Sequence, residues 1–184
     1  DEQGDMYELV SRLRTNVDLP LVIDSTTPHV IESALKLLGG RALINSVNLE
    51  NGEKAAGEIF SLAKRYGAAL ICLTIDEEGM ARSSGRKLAV AERIYRLATQ
   101  EHGLHPQDLI FDPLTFTLGS GDDSLRGAGA ATLQALTSIK SRLPGVHTVL
   151  GVSNISFGLA AHAREVLNSV FLEEAIHAGL DIAI

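Results

Sequence analysis

Residues 147–156 read HTVLGVSNIS. The first half is apolar and β-branched, as befits a strand entering a buried sheet, whereas Ser153 and Asn154 are polar residues that a closed core would not tolerate unpaired. Taken alone, Asn154 is an ordinary turn former, because its side chain can bond its own backbone. Whether it belongs to a turn or to a site depends on how the other strands end. LPLVID (19–24) finishes on Asp24, RALINS (41–46) carries Asn45, DLIFDP (108–113) carries Asp112, and AALICLT (68–74) runs on to Asp76.

These runs, together with LDIAI (180–184), are continuously apolar rather than alternating, which marks strands covered on both faces of a parallel sheet. Between them lie segments with apolar residues three and four apart. PHVIESALKLL opens with Pro28 behind Thr27, a helix start. KAAGEIFSLAKRY ends at Gly67, GRKLAVAERIYRLATQEH at Gly103 and AREVLNSVFLEEAIHA at Gly179, while SLRGAGAATLQALTSIKSRL stops before Pro144. Strand and helix alternate throughout, so the class is α/β with right-handed parallel crossovers. An open doubly wound sheet calls for a glycine-rich phosphate turn, and neither GxGxxG nor GxxxxGK[ST] occurs. A (β/α)8 TIM barrel instead gathers polar residues at the carboxyl ends of its strands, and that is the pattern here. Such a barrel takes about 250 residues against 184 in this chain. The helix-like MYELVSRLRT has no strand before it. Residues 1–184 are therefore expected to form an incomplete fragment of about six βα units, with the first strands lying upstream and the C-terminal end truncated.

Composition narrows the function. With 45% hydrophobic and 21% charged residues the chain suits a globular domain with a sizeable core. A formal charge of −7 and a pI near 5.3 argue against a nucleic-acid surface, which needs a basic stripe. No run approaches the roughly 18 apolar residues of a membrane span, and DEQGDMYELV resembles no targeting peptide, so the expected location is cytoplasmic. The single cysteine, Cys72, excludes an internal disulfide and a multi-cysteine zinc site and reads as a small core residue. His102 and His105 lack a third ligand at a supporting spacing; DEEG (76–79) reads as a solvated acidic loop, and GSGDD (119–123) as a loop over the barrel mouth. No metal site is expected.

What remains is the set of strand-end polar residues. Two carboxylates and two carboxamides at one barrel mouth form an acceptor-rich array that matches the N–H donors of a flat heterocycle. A 2-amino-4-oxopteridine offers an amine beside a ring N–H, which one carboxylate can take together.

The blocks DSTTP, INSVNLE, DEEGMA, DLIFDPLTF, LGVSNISFGL and REVLNSVFL, in that order, resemble the pterin-binding barrel of the methyltetrahydrofolate methyltransferases, and above all the folate domain of cobalamin-dependent methionine synthases. The likeness covers nearly all of residues 19–184. It implies that Asp24, Asn45 and Asp112 hold the pterin ring, that Asn154 reaches N5, and that Gly151, Ser153 and Arg164 complete the substrate-binding set. Arg164 and Asn168 match an RxxxN spacing that braces the loop or the ligand, and Asp76 is a weaker candidate for pterin contact or acid–base work. The implied substrate is 5-methyltetrahydrofolate; the implied acceptor is cobalamin held by another domain or protein, with a homocysteine-binding domain elsewhere in the full-length protein and a homodimer left open. The related dihydropteroate synthases carry a Ser-Arg-Lys type motif where this chain has Ser153-Asn154-Ile155, which argues against the synthase reaction. Alternatives are a corrinoid-protein methyltransferase outside methionine synthesis, a dihydropteroate synthase-like enzyme, and a noncatalytic folate-binding module.

Overall fold

The computed structural model describes residues 1–119 and 123–184. Six strands form a parallel sheet: β1 (Val22–Asp24), β2 (Leu43–Val47), β3 (Ala69–Leu73), β6 (Leu109–Asp112), β7 (His147–Leu150) and β8 (Ile182–Ala183), neighbours in that order. Between β3 and β6 sits a small antiparallel hairpin, β4 (Ile75–Asp76) and β5 (Gly79–Met80). The helices are α1 (Glu2–Leu13), α2 (Pro28–Leu35), α3 (Gly52–Tyr66), α4 (Ser84–Arg96), α5 (Ala128–Arg142) and α6 (Ala161–His177). From β1 to β7 each sheet strand is followed by a helix and then by its parallel neighbour, the βα progression of a barrel wall.

The helix boundaries follow local chemistry. Pro28 opens α2, where its missing N–H costs nothing. The Ser83 hydroxyl accepts the Arg86 N–H at 3.3 Å and caps α4. Gly67 closes α3 in the left-handed conformation at φ 65°. Two helices differ from the sequence expectation. The segment ending at Gly103 is α-helical to Arg96 and then widens into a π-turn over Leu97–Glu101. The segment starting at Ser124 becomes an α-helix at Ala128, because Gly127 takes φ 86° and separates α5 from a short 3-10 turn at Asp123–Leu125.

The sheet divides the apolar residues into two faces. Leu70, Cys72, Leu109 and Phe111 join the main core with Phe60, Val90, Ala91 and Ile94 from the helices, whereas Ile71, Ile110 and Val149 form a separate cluster with Leu43 and Leu73, all of them strand residues. That second face is the barrel interior, and burial on both faces explains why the strands read as unbroken apolar runs. Cys72 is fully buried as expected, and desolvation pushes its thiol pKa well up. His102 is less free than a loop histidine: its ring lies 5.4 Å from that of Phe60. The DEEG segment is the turn of the β4–β5 hairpin, where Arg86 is held by Asp76 and Glu78 and Arg93 by Glu77 at 2.8 and 2.9 Å. Of the loop read from GSGDD, Ser120, Gly121 and Asp122 lie outside the described residues.

Candidate pterin site

Register places three strand-end residues on one face. Asp24 pairs with Asn45, Asn45 with Ile71, and Ile71 with Ile110. Asp112 follows Ile110 by two residues, so it stands on the same interior face one step closer to the carboxyl edge. Asp24 is exposed and Asn45 half-buried; neither side chain has a hydrogen-bond partner among the described residues. Two polar side chains left open side by side at a strand edge are acceptors and donors available to a ligand.

Asn154 reaches the site differently from what the strand-like HTVLGVS suggested. β7 ends at Leu150, and Val152–Ser156 turn into a 3-10 helix. The Asn154 N–H donates to Gly151 O at 3.2 Å and its carbonyl accepts the Phe157 N–H at 3.2 Å, so the residue forms the turn and also projects from it. Gly151 explains the fit: a Cβ built there would lie 2.8 Å from Asn154 Nδ2, too close for any other residue unless the amide moves. Ser153 is exposed, and its carbonyl accepts the Ser156 hydroxyl at 3.1 Å. Arg164 Nε donates to Ser156 Oγ at 3.2 Å from α6, which makes it a brace for the turn. Asn168 Oδ1 is buried and has no partner among the described residues.

Asp112 and Asn154 line one cavity of about 340 Å³ with Met80, Leu114, Thr115, Phe116, Thr117, Leu125 and Phe157, a size and an apolar, sparsely polar lining typical of small-molecule sites. The loop after β6 is tied to the Asn154 turn by the Leu118 N–H to Ile155 O at 3.0 Å and by Thr117 Oγ1 to Phe157 O at 2.7 Å. Asp112 Oδ1 accepts the Leu114 N–H at 2.7 Å. Burial pushes the Asp112 carboxyl up to about 6, against the lowering effects of that hydrogen bond and of the Lys87 charge. It is therefore an anion at neutral pH with little reserve. Asp76 is placed otherwise: it sits in the hairpin, paired with Arg86 and accepting the Glu78 N–H at 3.0 Å.

Sequence reading missed Lys87. It lies in α4 with no exposed surface, its ammonium donating to the Pro113 and Leu114 carbonyls, the latter at 3.1 Å, and sitting 4.8 Å from the Phe116 ring centroid. The signal was present: Lys87, Val90, Ala91 and Ile94 are the buried residues of α4, a three-and-four spacing on whose apolar face a lysine is out of place. Among the described residues, no group of three or more His, Cys, Asp or Glu is arranged to hold a metal ion.

Known proteins resemble this chain in sequence and in fold. It is 46% identical over 187 residues to methionine synthase of Mycobacterium tuberculosis (strain ATCC 25618 / H37Rv), the alignment covering 100% of this chain and 16% of that protein. It is 46% identical over 184 residues to methionine synthase of Mycobacterium leprae (strain TN), covering 98% and 15%. The chain thus spans less than a fifth of the length of these curated relatives. Dihydropteroate synthase from Thermus thermophilus shares the fold at a TM-score of 0.70 and 21% identity, over 98% of this chain and 72% of that one. The Yersinia pestis enzyme with a pterine-sulfa conjugate does so at 0.67 and 16%, over 100% and 70%. The profile of the pterin binding enzymes matches residues 1–184, and with the strand-end polar residues on one barrel face, the chain belongs to that family.

Proposed function

We propose that the chain binds the pterin of 5-methyltetrahydrofolate and supports transfer of its N5 methyl group to a corrinoid cobalt, as a step in methionine synthesis from homocysteine in the cytoplasm. The observation that carries this reading is the convergence of Asp24, Asn45 and Asp112 on one interior face with Asn154 beside Asp112 in a single cavity. The 46% identity to methionine synthases favours methyl transfer over the other chemistry of the fold, and so does Asn154-Ile155 in place of a basic pair.

The Asp112 carboxylate takes the 2-amine and adjacent ring N–H as a bidentate acceptor. The Asn45 carboxamide, donor and acceptor at once, serves the carbonyl and ring nitrogen edge, with Asp24 beside it. Cobalamin, bound by another domain or protein, supplies the nucleophilic cobalt that accepts the methyl group. The C–N5 electron pair stays on nitrogen as the methyl leaves, so N5 gains negative character and takes up a proton from solvent. Asn154 Nδ2 donates a hydrogen bond there, a contact that strengthens as the bond breaks and so lowers the barrier rather than merely tightening binding.

The test is methyl transfer from 5-methyltetrahydrofolate to free cob(I)alamin by the full-length protein, followed spectrophotometrically, with calorimetry of folate binding. Binding with turnover supports the proposal. Binding without turnover marks a folate-holding module instead, and absence of binding sinks the pterin assignment.

A further inference from the structure

A lysine with no solvent-exposed surface is a costly choice on a helix face where leucine or methionine would pack at no electrostatic penalty. The cost is met by a specific set of contacts. The Lys87 ammonium donates to the Pro113 and Leu114 carbonyls and faces the Phe116 ring, whose electron-rich face attracts a cation. Both carbonyls belong to the residues immediately after Asp112, and the Leu114 N–H is the group that fixes Asp112 Oδ1. Leu114 holds φ 63°, a conformation a leucine rarely adopts without restraint, and its carbonyl is pinned from a second side by Thr132 Oγ1 at 2.9 Å.

We propose that Lys87 is the positioning residue of the pterin carboxylate, an ammonium fixed behind the loop after β6 that sets both the aim of Asp112 and its negative charge. The inference rests on Asp112 being a pterin ligand. Lys87 reaches Asp112 in two ways. Mechanically, it holds the two peptides from which the Leu114 N–H is presented. Electrostatically, the two charges act on each other without a direct hydrogen bond, Lys87 lowering the carboxyl and Asp112 raising the amine. Burial still brings the Lys87 amine down to about 8, so it is charged at neutral pH. Of the other ionisable groups on α4 and the elements packed against it, Asp76 and Glu78 pair with Arg86, Glu77 with Arg93, Glu92 with Arg142, Glu101 with Arg96 and Lys140 with Asp181; Cys72 on β3 stays a neutral thiol. A site that binds a neutral heterocycle through a buried carboxylate needs that carboxylate ionised, and Lys87 supplies the field that keeps it so.

The experiment measures 5-methyltetrahydrofolate affinity of the full-length protein from pH 5.5 to 9 for wild type, Lys87→Met, Asp112→Asn and the double variant. In the wild type, affinity should fall below about pH 6. In Lys87→Met the fall should move up by roughly one to three pH units, the range an adjacent opposite charge commands, so that a loss at pH 7 of about twofold for one unit, rising to about tenfold for two, recovers towards pH 9. In the Asp112→Asn background the pH-dependent part of the Lys87→Met effect should vanish. An affinity loss that is equal at all pH values and persists in that background would make Lys87 structural and overturn the proposal. If Lys87→Met does not fold, carbon NMR of wild type labelled at aspartate carboxyls decides: the Asp112 resonance should show a second inflection near pH 8 as Lys87 loses its proton, and a single inflection refutes the coupling. Failure of the pterin reading is separately visible, as Asp112→Asn binding folate like the wild type.

Discussion

Replacing Asp112 by asparagine should stabilise the fold while weakening its function. A carboxyl held at about 6 rather than its ordinary 3.8 opposes folding by about 3 kcal/mol once it is ionised in both states, at about 1.4 kcal/mol per pKa unit. The sign follows from proton counting. Between pH 3.8 and about 6 the native state binds more protons than the unfolded one, so stability falls as pH rises through that window and the penalty is complete above it. Asparagine stands in for the neutral acid and keeps an Oδ1 for the Leu114 N–H. The loss of Lys87's counter-charge is already within the figure, because the Lys87 charge is one of the causes that set the Asp112 value. Asp112→Asn should therefore be up to about 3 kcal/mol more stable at pH 7.5 and no more stable at pH 3.5. Its pterin affinity should drop by about 2 to 3 kcal/mol, since one acceptor oxygen replaces a charged pair. Urea denaturation of both proteins at pH 3.5, 5 and 7.5 reads the first effect and calorimetry the second. A variant less stable than wild type at pH 7.5, or a gain independent of pH, would refute the reasoning.

Asn154→Ala should slow single-turnover transfer to cob(I)alamin by about 10² to 10³ at saturating folate with a smaller change in affinity; a rate within about twofold of wild type would return the residue to a turn former. Gly151→Ala should copy that defect, because its Cβ would displace Asn154 Nδ2 from 2.8 Å, while φ −73° leaves the backbone unstrained; the same assay with a melting curve checks that the loss is local, and unimpaired transfer would show the amide has room to move. Asp76→Asn should leave transfer within about threefold and cost at most about 1 kcal/mol from the loosened Arg86 pair. A collapse of the transfer rate in that variant would mean that Asp76 leaves Arg86 when substrate binds.

The fold was legible because its signals are local. LVID, LINSV and LIFD are short, unbroken apolar runs with a polar last or middle residue, and the pairing of Asp24 with Asn45 follows once those strands are laid parallel. Their shared face follows from the two-residue period of a strand. Asn154 stood out in the sequence, but its setting did not, since HTVLGVS has the composition of a strand to its end and nothing nearby reveals that Gly151 must make room for an amide three residues on. Lys87 was missed for a different reason. Its partners are 26 and 27 residues away in sequence, and a charged residue on an apolar stripe acquires meaning only when the element it faces is known. Asp76 is the reverse case: a carboxylate at a strand end looks like its neighbours in the sequence, and the intervening hairpin pairs it with Arg86.

The left-handed Leu114 bears on the order of folding. Its φ of 63° is held by one tether from β6, one from α4 and one from α5, the Asp112, Lys87 and Thr132 contacts, of which the last two span 27 and 18 residues of chain. Until both helices have docked, that backbone has no reason to leave the common basins, and the loop closures that bring them in carry an entropic cost before any contact rewards it. The cavity beside Asp112 is accordingly a late product of assembly: a chain collapsed onto its parallel strands would already have its core and would still lack the shape that recognises a ligand.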